Sequence, residues 1–299
     1  MKKITQILVA ITALFASLVS LGDVSIKADV VYGHKDGMAL VYDVITPEDA
    51  NGAAVVFMVS GGWFSRWTPP ENRAQQFAHY LDAGFTLIPV HHGSAPRYKV
   101  PDAYADVSRA IRHIKMNAEV HGIDPDKIGV TGGSAGGHLS LMLGLDSDTG
   151  DANSQDEVMR HGNEVAAIVA YFPPVDLRQI TGPNDRFPAL DFPQEKAAAI
   201  SPILFADAGD PPTLLIHGDA DELVPISASQ IMQAEFEKQS VVSDFITISG
   251  AGHGFRGDDA VRAANASVAS PEIFPYPEVL CGSDAVVLSL LGYQCRKLP

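Results

Sequence analysis

Cysteine is almost missing from this chain: 299 residues contain two, Cys281 and Cys295. Neither sits in a CxxC pair or beside clustered histidines, so a thiol nucleophile, a redox motif and a zinc site have no support. A single disulfide between them, closing a short loop in an oxidising compartment, is the expected state. Basic residues are also scarce, 21 Lys and Arg against 36 Asp and Glu, for a net charge of −15. A surface of that sign repels phosphate backbones, which excludes nucleic acid as a partner. No internal period repeats and no low-complexity tract occurs, so solenoids and propellers are set aside. No G-x-x-x-x-G-K-[ST] loop is present, so nucleotide phosphates have no cradle.

Long apolar runs are absent after the first two dozen residues. Lys2 and Lys3 precede the one such run, Ile4 to Leu21, which Thr5, Gln6, Thr12, Ser17 and Ser20 interrupt. Ser20 and Gly22 are small residues placed for cleavage before Asp23. Residues 1–22 are expected to be a secretory signal rather than a retained anchor. The protein is then secreted or periplasmic, without stable membrane insertion after cleavage, and 23–299 form one domain.

What the chain does have is alternation. ADVVYG and ALVYDVIT predict two strands around a turn at His34 to Gly37. Continuous apolar runs at 53–60, 85–90, 165–172 and in PPTLLIHGD predict strands buried on both faces. KIGVTG and DFITIS add two more. Helical patterns fall between them, at 71–83, from Pro101 to Ala118, at 136–145 and at 226–238. Strand and helix in turn predict an α/β fold, a mostly parallel sheet with helices on both faces. Segments 146–164 and 173–200, rich in Asp, Pro, Gly and Asn, predict loops or a small cap.

Between KIGV and HLSLMLGL lies Gly132-Gly133-Ser134-Ala135-Gly136, a G-x-S-x-G pattern. Alone it is a glycine-rich turn. Between a strand and a helix it fits a nucleophile elbow, where crowding leaves no room for flanking Cβ atoms and the serine stands at a helix N-terminus. A serine needs a base, and the base needs an acid to orient it. Asp219, Asp221 and Glu222 follow one strand directly, and His253 lies between glycines past the last strand. Ligands of open α/β sheets bind at that edge.

Taken together, GIDPDKIGVTGGSAGGHLS, PPTLLIHGDADELVP and GAGHGF resemble the α/β-hydrolase superfamily, in its esterase and lipase branch with xylan- and feruloyl-type esterases. The resemblance implies Ser134 as nucleophile, His253 as base and Asp221 as acid, with Asp219 the fallback. It implies an oxyanion hole from the amide of Ala135 and from Gly61 or Gly62 in VSGGWFS, where the leading histidine of that branch is missing. It implies no cofactor and no metal. The expected activity is serine carboxylic ester hydrolysis of short acyl esters, acetyl or feruloyl esters of plant polysaccharide among them. A prolyl-type serine peptidase and a non-catalytic binding protein on the same fold are the alternatives. Trp63 and His92 are candidate substrate contacts, with local packing as the competing role for each. The sequence leaves oligomeric state open.

Overall fold

A computed structural model describes residues 24–269; the N-terminal signal expected over 1–22 and the cysteines at 281 and 295 lie outside them. Strands β1 (Val24–Lys35) and β2 (Met38–Pro47) form an antiparallel hairpin. Its turn is two residues, Asp36 and Gly37, at φ 50° and 81°. Two successive positive φ angles match the twist of the flanking strands, so β1 runs through His34 and Lys35, further than the sequence pattern predicts, and β2 starts directly after Gly37. Register shifts bend β1, as befits an exposed sheet edge.

The chain continues through β3 (Ala54–Met58), α1 (Pro70–Gln76), α2 (Ala78–Asp82), β4 (Thr86–Val90), α3 (Val100–Met116), α4 (Ala118–His121), β5 (Ile128–Gly133) and α5 (Ala135–Leu145). The described elements continue with β6 (Ala167–Tyr171), β7 (Thr213–Gly218), α6 (Ser227–Gln239), β8 (Ser243–Ile248) and α7 (Asp258–Ala269). The sheet order is β1-β2-β4-β3-β5-β6-β7-β8. Strand β2 pairs antiparallel with both β1 and β4; from β4 to β8 every pairing is parallel.

Alternate residues of the central strands feed two cores. Val56, Met58, Ile88, Val130 and Leu215 pack with Ile111, Leu139, Met142 and Phe236 of α3, α5 and α6. Val55, Leu87, Val169 and Ile216 pack with Ala74, Tyr80, Leu81 and Ala263 of α1, α2 and α7. Burial on both faces is why these strands are apolar throughout rather than alternating. The single helix expected over 71–83 is two short ones, broken at Phe77 (φ −114°, ψ 26°), whose ring packs 4.4 Å from Phe57. Helix α7 escapes the sequence pattern because it is rich in alanine and buries little besides Ala263 and Ser267. Segments 146–164 and 173–200 hold only short 3-10 turns, at Glu157–Arg160, Pro188–Leu190, Gln194–Lys196 and Ala198–Ile200. The cap is therefore small.

Candidate active site

Five parallel strands deliver their following residues to one sheet edge: Trp63 after β3, Ser134 after β5, Phe172 after β6, Asp221 after β7 and His253 after β8. Ser134 sits at φ 54°, ψ −117°, a conformation L residues rarely adopt. Such strain costs about 1–3 kcal/mol and persists only where the surroundings enforce it. Here the Ser134 amide donates to the Tyr171 carbonyl at 2.9 Å, and the His138 amide donates to the Ser134 carbonyl at 2.9 Å. The glycines are required by space. A Cβ on Gly132 would lie 2.5 Å from the Gly136 carbonyl carbon, and one on Gly136 would lie 2.9 Å from the Met58 carbonyl oxygen. Ala135 opens α5, so its amide has no acceptor within the helix and carries part of the positive end of the helix dipole.

The acid and the histidine meet. Asp221 Oδ2 lies 2.7 Å from His253 Nδ1. Its Oδ1 accepts from the amides of Leu223 and Val224 at 2.9 and 3.0 Å. Burial by itself pushes the Asp221 carboxyl up, but the Val224 amide, His253 and the Leu223 amide outweigh it and hold the group below its ordinary value. The carboxylate is thus charged at neutral pH and faces the imidazole. Asp219 instead accepts from the Gly250 amide at 2.6 Å, bracing the turn before His253.

His217 is a second imidazole on the same carboxylate, its Nε2 3.3 Å from Asp221 Oδ2 and 2.8 Å from the Val224 carbonyl. Its Nδ1 pairs with the Ser229 hydroxyl at 2.8 Å. It is fully buried, and burial depresses its pKa, so it serves as a neutral strut under Asp221. HGDADELVP contains this residue, but nothing in the string shows that its ring turns back under the aspartate.

The glycine loop after β3 is organised without a leading histidine. Gly62 and Trp63 have φ 58° and 60°, and Gly61 and Phe64 exchange both backbone hydrogen bonds, at 3.1 and 3.0 Å. The Gly61 amide is therefore occupied, which removes it as an oxyanion donor. The Gly62 amide has no partner among the described residues. The loop is braced from the β4 side: the Ala95 amide donates to the Trp63 carbonyl at 3.1 Å, and the Ser65 amide to Ser94 Oγ at 3.0 Å.

Trp63 and His92 are not placed to meet a ligand. Trp63 is 4% exposed and meets the His138 ring edge-on at 5.5 Å, so it packs the loop onto α5. His92 is also 4% exposed, and its Nδ1 lies 2.9 Å from the Gly93 carbonyl. His91 pairs separately with Ser65 Oγ, at 3.3 Å. Among the described residues no three His, Cys, Asp or Glu side chains gather as metal ligands.

Two aromatics that the sequence pattern does not single out complete the site. Phe172 adopts φ 37°; its ring lies against Gly133 and 4.7 Å from the His253 ring. Phe187, from the cap segment, packs over Gly62.

Comparison with known proteins agrees with this architecture. Residues 42–236 match the BD-FAE family. Over 244 residues the chain is 29% identical to "Probable carboxylic ester hydrolase LipM" of Mycobacterium tuberculosis, covering 74% of this chain and 54% of that one. It is 27% identical over 253 residues to "Esterase LipQ" of the same organism, 79% of this chain and 59% of that one. The chain thus spans little more than half the length of these relatives. A solved structure titled as a truncated carbohydrate esterase from gut microbiota superposes with a TM-score of 0.67 at 29% identity, covering 82% of this chain and 95% of that one. With two thirds of its length matched and the fold shared, the chain belongs to the BD-FAE family of the α/β-hydrolase superfamily.

Proposed function

We propose that this protein is a secreted serine carboxylesterase acting on short acyl esters, with acetyl or feruloyl esters of plant polysaccharide as its substrate class. The observation that carries the reading is the charged Asp221 held 2.7 Å from His253, on the sheet edge where Ser134 stands strained at the head of α5. Ser134 attacks the ester carbonyl while His253 Nε2 takes its proton. Asp221 fixes the tautomer with Nδ1 protonated and stabilises the imidazolium that forms. The amides of Ala135 and Gly62 receive the oxyanion; one such donor is worth about 3 kcal/mol in comparable hydrolases. His253 then protonates the leaving alcohol, and water deacylates Ser134 by the same route.

The likeness to esterases and to a carbohydrate esterase supports the ester and the saccharide. The small cap supports an open site able to take a polymer. Lys2, Lys3 and the apolar run after them support export. Thermogutta terrifontis esterase 2, 27% identical with a TM-score of 0.66, is titled as phosphorylated by paraoxon, which makes paraoxon a suitable probe. The wild type is expected to hydrolyse 4-nitrophenyl acetate and to gain one diethylphosphoryl group from paraoxon on the peptide containing Ser134. Ser134→Ala is expected to do neither. Equal hydrolysis by both proteins, or by neither, defeats the reading.

A further inference from the structure

Arginines are scarce in this acidic chain, and five of the ten described ones are claimed by aspartates: Arg97 by Asp36, Arg109 by Asp156, Arg112 by Asp148, Arg178 by Asp176 and Arg262 by Asp259. Two beside the glycine loop are not. The guanidinium of Arg66 lies 5.6 Å from the Phe64 ring centre, and that of Arg186 lies 5.1 Å from the Phe187 ring centre. Both are exposed, and neither guanidinium has an ion pair or hydrogen bond among the described residues, not even Arg186 with its neighbour Asp185.

The two platforms converge. A Cβ on Gly62 would lie 2.9 Å from Phe187 Cδ1 and 3.7 Å from Phe64 Cδ2, so both rings meet over that glycine. The Arg186 side is fixed in place. Asn184 Oδ1 accepts from the amides of Arg186 and Phe187, at 3.1 and 2.8 Å, and Lys99 Nζ donates to the Pro188 carbonyl at 2.8 Å. Stacking on a ring orients a guanidinium while leaving its N–H fork free for a carboxylate. With 36 acidic residues in the chain, leaving these two cations unneutralised beside Gly62 suits an anion brought by the ligand.

We propose that Arg66 and Arg186 form a carboxylate-recognition subsite, selecting esters whose sugar or acyl part carries an acid group near the scissile bond. This rests on the carboxylesterase reading above and narrows its substrate. The test compares kcat/KM on acetylated polygalacturonate against acetylated xylan, and on 4-nitrophenyl hemisuccinate against 4-nitrophenyl butyrate. The first pair reports an acid on the sugar side and the second an acid on the acyl side. Wild type is expected to favour the acidic member of at least one pair by about tenfold or more, as one charge-assisted contact provides. The double variant Arg66→Gln, Arg186→Gln is expected to lose that preference, and Arg66→Lys, Arg186→Lys to recover part of it. No preference in either pair, or a preference that survives the glutamines, overturns the proposal. If wild type hydrolyses no ester at all, the carboxylesterase reading fails by itself. Calorimetry on Ser134→Ala then decides the subsite. Salt-sensitive binding of trigalacturonate or succinate, absent for xylotriose and lost with the glutamines, upholds it; no binding overturns it.

Discussion

The ring of Phe172 lies 4.7 Å from the imidazole of His253, centre to centre and tilted by 59°. The same ring packs against Gly133, one residue before Ser134, and the Tyr171 carbonyl beside it accepts from the Ser134 amide. One strand end thus sets both the elbow and the histidine. Phe255 closes the far side, 5.0 Å from Phe172. Phe172→Leu keeps the volume apolar but removes the flat face under the imidazole. It is expected to lower kcat about 10- to 100-fold with KM little changed, since misplacing a reacting group by about 1 Å costs that much. Steady-state kinetics on 4-nitrophenyl acetate read the split; a change confined to KM contradicts it.

Asp221→Asn preserves an acceptor for the Leu223 and Val224 amides, so the loop is expected to fold. Its new N–H cannot accept from His253 Nδ1, and the ring is driven to the wrong tautomer. The expected loss in kcat is on the order of 10⁴, with a melting temperature within a few degrees of wild type. A loss below about tenfold would remove Asp221 from the proposed proton relay.

Gly132→Ala puts a methyl group against the backbone of Gly136, where no rotamer change relieves the 2.5 Å contact. Destabilisation beyond about 4 kcal/mol is expected, seen as a lost urea transition or insoluble protein. Gly61→Ala is the control: a Cβ there meets nothing within 4 Å and the φ angle is not positive. It is expected to fold with a change of about 0.5 kcal/mol or less. Equal tolerance at both positions contradicts the crowding account.

Burial lowers the pKa of His138 and of His92 from 6.5 to about 4. Both are neutral in the folded protein, whereas the unfolded chain binds a proton at each below pH 6.5. Their contribution is complete above pH 6.5 and is lost as the pH falls toward 4, at about 1.4 kcal/mol per pH unit for each ring. Urea denaturation at pH 7.5 and pH 5.0 measures it. A protein equally or more stable at pH 5.0 contradicts the sign. His138→Gln should flatten the slope.

The strand-and-helix order and the positions of Ser134, Asp221 and His253 at strand ends were legible in the chain, because apolar runs and glycine punctuation are local signals. The Asp221 and His253 side chains do come together, across 32 residues of sequence. Other features had no local signal. The Gly61 amide is taken by the Phe64 carbonyl, Trp63 turns inward onto His138, and His217 turns under Asp221.

The sequence by itself determined the sheet, its two apolar faces and the glycine spacing that lets a serine stand strained between strand and helix. Only the tertiary structure decided which amides stay free, which aromatics frame the imidazole and which arginines go unpaired. Those outcomes depend on contacts between segments tens of residues apart, where the direction of a side chain is set by packing and not by its neighbours along the chain.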